Sequence, residues 1–185
     1  MMKKRSTLEV LRHSRHDWLN RLQLIKANMS LGRWDRVNNL IDEIVLESNH
    51  ESGLTNLHAS MFAEYLVTFH WEPRLFSMEY EVIGEAGLNL SDYDHSLYKW
   101  VTSLFSQIET AVDKKAENHL FLSMHIEEKE IRFFFELSGI IESTEGLSTW
   151  IENQPNGFWV EDSQVSKEGC EMQIRFSCEE SHNNK

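Results

Sequence analysis

Proline is almost missing from this chain, with Pro73 and Pro155 the two in 185 residues, and glycine is held to eight. That scarcity argues against a long disordered linker, a class of segment rich in such residues. Cysteine is as sparse. Cys170 and Cys178 lie eight residues apart near the end, could not easily bridge within one short strand, and have no metal-ligand spacing. A reducing, cytoplasmic compartment is the simplest home for such a chain. Long apolar runs are absent too, and the basic start has no apolar stretch behind it. Neither a membrane span nor a signal peptide is expected. What remains is a chain 41% hydrophobic, long enough for one ordinary domain, or a small domain with a helical appendage.

The net charge of −12 is unevenly spread. Residues 1–36 carry Lys3, Lys4, Arg5, Arg12, Arg15, Arg21, Lys26, Arg33 and Arg36 against Glu9, Asp17 and Asp35, a net +6. The rest of the chain therefore carries −18. A basic patch suits nucleic acid, anionic lipid or an acidic protein. The acidic remainder would repel a nucleic-acid backbone, so an acidic protein partner fits both halves better.

Within the basic segment stands Arg15-His16-Asp17-Trp18-Leu19-Asn20. Leu8, Leu11, Trp18, Leu22, Ile25 and Met29 recur at three and four residues, with Arg15 in the remaining slot, which is the seam of a helix packed on other helices. His16 lies one residue off that seam, on its shoulder. Its same-face neighbours at three or four residues are Arg12, His13, Leu19 and Asn20. An exposed imidazole beside a carboxylate, with an amide one turn on, is suited to carrying a phosphoryl group. A solitary surface histidine is more often simply solvated. His13 is a competing acceptor, but no carboxylate follows it and Asp17 stands four residues on. His50, His58, His70, His95, His119 and His125 form no spaced ligand set, and no metal site is legible.

The first helix is predicted from about Thr7 to Ser30, a turn over Leu31-Gly32-Arg33-Trp34, then a second helix capped by Asp35. Val37, Leu40, Ile41, Ile44 and Val45 form its buried face. So short a loop makes an antiparallel hairpin. Pairing with a second copy, as a homodimeric four-helix bundle, would bury its stripe; packing onto its own C-terminal part is the alternative. The polar stretch 49–56 is taken as the junction, dividing the chain into residues 1–52 and 53–185. Beyond it are expected a helix over 57–69, a strand through Phe76, Met78, Tyr80 and Val82, and a long helix over 92–115. A strand pair at 120–126 and 131–137, a short helix at 146–151, and closing strands at 158–160 and 170–176 follow. This order makes an α+β sandwich with helices on one face of a mixed sheet, and a frayed end over 179–185. Trp18, Trp100 and Trp150 fit apolar faces, whereas Trp34 at the hairpin turn is a candidate for partner contact.

A basic hairpin bearing His16-Asp17-x-x-Asn20, followed by this order of elements, resembles the two-domain core of sensor histidine kinases. More closely it resembles the sporulation phosphotransferase family, the B component of the phosphorelay in spore-forming bacteria. The likeness rests on residues 15–26 and on Leu31-Gly32-Arg33-Trp34-Asp35-Arg36-Val37 at the turn. A working kinase ATPase domain carries paired asparagines on its long helix and an Asp-x-Gly-x-Gly turn. Here Ser103 and Gln107 stand where asparagines are expected, and Glu136-Leu137-Ser138-Gly139 follows the central strand. The resemblance therefore implies a kinase-ATPase-like α/β domain without nucleotide chemistry.

It also implies that a phosphoryl group passes from the aspartate of one response regulator receiver domain to His16, then to the aspartate of a second. His16, Asp17 and Asn20 would form the catalytic group. Arg12 and Arg15 would offset phosphoryl charge, although Arg15 suits a place inside the bundle equally well. Leu19, Gln23 and Trp34 would give docking surface. The chain itself would bind no cofactor, the Mg ion arriving with the regulator. An autophosphorylating kinase and a non-catalytic dimeric scaffold that docks regulators are the rival readings. Loss of the ATP motifs argues against the first, and the intact His16-Asp17-x-x-Asn20 pattern against the second.

Overall fold

The computed structural model describes residues 6–84 and 87–178, so the expected fraying of 179–185 lies outside the described residues. Two compact units, Met1–Ser48 and Asn49–Lys185, make up the chain.

The first unit is a helical hairpin. Helix α1 runs Thr7–Ser30, with the bounds its apolar periodicity predicts, and α2 starts at Trp34. Gly32 turns the chain at a φ of 67°, in the left-handed region where a side chain is strained. The Arg33 N–H donates to the Asn28 carbonyl at 2.9 Å, closing the last turn of α1. Across the hairpin, Arg21 of α1 pairs with Glu47 of α2. Asp35 is not the cap expected of it. The first helical bond of α2 runs from the Val37 N–H to the Arg33 carbonyl, which puts Asp35 in the first turn, where its charge favours the helix dipole. Of the face predicted for α2, Val37 is buried while Ile41 and Val45 are exposed. No residue of α1 is buried within the single chain.

The polar stretch 49–56 is not the loop its composition suggests, because α2 continues to Thr55. Two tertiary contacts hold it helical. The Val82 N–H donates to His50 Nδ1 at 3.1 Å, and Leu54 is fully buried in the core of the second unit.

That second unit is an α+β sandwich. After α3 (Ser60–Val67) and a 3-10 turn over Phe69–Trp71 comes β1 (Ser77–Ile83). A second 3-10 turn, Ser91–Tyr93, leads into α4 (Asp94–Ala111). Then follow β2 (His119–Ile126), β3 (Glu130–Ser138), α5 (Glu145–Glu152), β4 (Phe158–Val165) and β5 (Gly169–Ser177). The sheet order is β1-β2-β3-β5-β4, with β1 parallel to β2 and every other neighbour antiparallel. A parallel pair needs a crossover, and α4 supplies it.

Three boundaries differ from the periodicity. The helix predicted over 57–69 is shorter, because Asp94 of α4 accepts the N–H groups of Met61 and Phe62 at 2.9 Å each and starts α3 there. The long helix stops at Ala111, since Val112 leaves it to bridge Ile141. Strand β4 runs five residues past Val160, its polar end held by pairing with β5 across an irregularity between Val160 and Asp162.

Alternation along β3 sends Ile131, Phe133, Phe135 and Leu137 inward, where α4 meets them with Leu97, Trp100, Val101, Leu104, Ile108 and Ala111. Trp100 stacks on Phe158 at 4.4 Å between centroids. Each large side chain so buried contributes roughly 1.5–3 kcal/mol.

Candidate functional site

The candidate site sits on α1, and local chemistry explains why that helix is firm there. Ser6 and Glu9 form a capping box. The Glu9 N–H donates to Ser6 Oγ at 3.3 Å, and the Ser6 N–H donates to Glu9 Oε2 at 2.9 Å. Two turns on, His16 projects into solvent with 73% of its side chain exposed. Asp17 Oδ1 lies 3.4 Å from His16 Nδ1, and Asn20 Nδ2 lies 3.2 Å from the same nitrogen. Both neighbours therefore address Nδ1. Nε2 makes no hydrogen bond among the described residues and faces water. A ring held at one nitrogen and free at the other can attack an incoming electrophile from a fixed direction.

Arg12, Arg15, Leu19 and Gln23 are all exposed on the same helix. Arg12 stands one turn before His16, and neither it nor Arg15 makes an ion pair among the described residues. Trp34 is exposed as well, but it opens α2 beyond the hairpin turn. From His16 to the end of α1 the helix rises about 21 Å, so the structure does not bring Trp34 to the imidazole. Leu24 is exposed as well and lies one turn past Asn20, on the same face of α1.

In the second unit, Ser103 and Gln107 lie on the face of α4 that α5 covers. The Trp150 indole N–H donates to Ser103 Oγ at 3.0 Å. A Cβ on Gly146 would stand 3.0 Å from Gln107 Oε1, so α5 rests directly on that residue. The Trp100 N–H donates to Gln154 Oε1 at 2.8 Å, tying the end of α5 to the same face. His70 and His50, by contrast, are structural, bonding the backbone of Met78 and Val82. Among the described residues no group of three or more His, Cys, Asp or Glu gathers as a metal site, and no helix is long and apolar enough to cross a membrane.

Two family models together match nearly the whole chain. Residues 1–57 match the sensor kinase SpoOB-type alpha-helical domain, and residues 58–177 the C-terminal domain of sporulation initiation phosphotransferase B. Sporulation initiation phosphotransferase B of Bacillus subtilis (strain 168) is 40% identical over 134 residues, which cover 71% of this chain and 69% of that protein. The chain belongs to the sporulation initiation phosphotransferase B family. Its activity is that of a phosphotransferase in the sporulation phosphorelay. Among solved structures, the chain is similar to the catalytic domain of histidine kinase ThkA, at 10% identity and a TM-score of 0.39, over 68% of this chain and 92% of that one. It is also similar to Acinetobacter baumannii histidine kinase AdeS, at 10% identity and a TM-score of 0.41, over 88% and 97%.

Proposed function

We propose that a phosphoryl group passes from the aspartate of one response regulator to Nε2 of His16, then to the aspartate of a second. The observation that carries this reading is that Asp17 Oδ1 lies against Nδ1, where it can accept that nitrogen's proton, while Nε2 has no side-chain partner among the described residues. Nε2 attacks phosphorus in line. The N–P bond forms as the P–O bond of the acyl phosphate breaks, and the electron pair returns to the regulator's carboxylate. With its proton on Nδ1, the ring shares the developing positive charge with Asp17 Oδ1. The second transfer is the reverse of the first, so one geometry serves both.

Arg12, exposed one turn before His16, offsets phosphoryl charge, while Leu19, Gln23 and Leu24 give the regulator an exposed footing on α1. Mg arrives with the regulator's own carboxylates. The seam of Leu8, Leu11, Trp18, Leu22 and Met29, exposed in the single chain, is covered by a second copy in a homodimeric four-helix bundle in the cytoplasm. Residues 1–52 carry dimerisation and transfer; residues 53–185 do not bind ATP. In support of the last point, a nucleotide on the Ser103–Gln107 face would have to displace α5 and break the Trp150 bond. The residues present do not fit one.

Transfer from a labelled, phosphorylated regulator without ATP tests the reading. The wild-type protein takes up acid-labile label, and His16→Gln takes up none above background, because the nucleophile itself is gone. Uptake by His16→Gln, or labelling of the wild type by ATP alone, would overturn it.

A further inference from the structure

We infer that Asn20 and Asp17 compete for one nitrogen of His16, so that Asn20 biases the resting ring toward the tautomer that cannot attack and an arriving phosphoryl group relieves that bias. This rests on His16 being the phosphoacceptor. Asn20 Nδ2 is 3.2 Å from His16 Nδ1, and Asp17 Oδ1 is 3.4 Å from the same atom. A neutral imidazole has one N–H and one in-plane lone pair, so Nδ1 can serve one of these neighbours at a time. When the Asn20 amide donates to it, Nδ1 supplies the lone pair and the proton sits on Nε2, which then has nothing to attack with. When Nδ1 carries the proton, it donates to Asp17 and Nε2 presents its lone pair to solvent. The Asn20 amide would then point an N–H at an N–H, and it must turn to another acceptor.

The oxygens of a phosphoryl group approaching Nε2 are such an acceptor, one turn of helix from Asn20's own backbone. Docking thus draws Asn20 off the ring and hands Nδ1 to Asp17. The exchange moves one proton from Nε2 to Nδ1 through water, which reaches the 73% exposed side chain freely, and leaves the proton count unchanged. Transfer then forms the Nε2–P bond while the regulator's carboxylate keeps the P–O electron pair. Asn20 is on this account a positioning residue that biases the resting ring away from its nucleophilic tautomer until a phosphoryl group is present.

The test is 15N NMR of the His16 ring in the full chain labelled at histidine, at a pH where the ring is neutral and without regulator. In the wild type the proton is expected on Nε2. Asn20→Ala should raise the Nδ1–H share relative to Nε2–H by roughly fivefold, the weight of one ordinary exposed hydrogen bond. Asn20→Asp, an acceptor where a donor stood, should raise it further. A wild-type ring already protonated on Nδ1 would mean that the Asn20 carbonyl, not its amide, faces the ring, and would overturn the proposal. So would a tautomer ratio unchanged by both substitutions. Failure of the phosphoacceptor reading shows elsewhere, as label reaching His16→Gln, and leaves these ring shifts as they are.

Discussion

Cys170 shows how far burial alone can decide the behaviour of a side chain. It lies on β5 facing the core, and desolvation, assisted by the neighbouring charge of Glu171, pushes its thiol up to about 11. Half-buried Cys178 is raised in the same direction by burial. The thiolate is the reactive form, so Cys170 stays protonated and inert at pH 8. Iodoacetamide should leave it unmodified in the native protein and modify it promptly in urea; fast native labelling would contradict the burial. From their spacing these cysteines are not expected to bridge easily; Cys170 is buried and Cys178 half-buried. The spacing could not say which one is sheltered. The same limit applies at His16. The pattern His-Asp-x-x-Asn marked the group, but that Asp17 and Asn20 share Nδ1 is a matter of rotamers, which no spacing reveals.

Among the elements, α1 is the most legible, its predicted and observed bounds coinciding because its signals are local: an apolar period along its length and a left-handed glycine just past its end. Gly32 offers a clean measure of the second signal. Nothing lies within 4 Å of where its Cβ would stand, so Gly32→Ala meets no clash and costs only the backbone penalty at φ 67°. About 1 kcal/mol of hairpin stability should be lost, read as a lower midpoint in urea. An unchanged midpoint would show that the turn does not depend on that conformation. The elements misjudged from sequence are those ended or extended by distant partners. Residues 49–55 are helical through Leu54 and His50, α4 ends where Val112 meets Ile141, and β4 is prolonged by β5. In each, tertiary contacts override a weak local propensity.

At the scale of the whole molecule, the two units contrast. The second keeps most of its large apolar side chains inside, Ile83 and Ile140 being exceptions, whereas the first leaves Trp18 51% and Leu22 55% exposed. A stripe of that spacing left in water is a cost that a second copy would remove. Leu22→Asp, placing a charge on the seam, is therefore expected to convert a dimer to a monomer in analytical ultracentrifugation without altering the second unit's near-ultraviolet spectrum. A wild-type protein that stays monomeric as its concentration is raised would count against the homodimer.

What the sequence determined by itself is local or periodic: the hairpin, the face of α1 that carries His16, the alternation of β3 and the inward residues of α4. These follow from helical and strand periods and from residue chemistry, which act over a few positions. The tertiary structure decided what depends on partners far along the chain: the parallel pairing of β1 with β2, the seating of α5 and Trp150 on α4, and the helical end of α2. Such contacts join residues tens of positions apart, and each forms only when the packing of both sides is already in place.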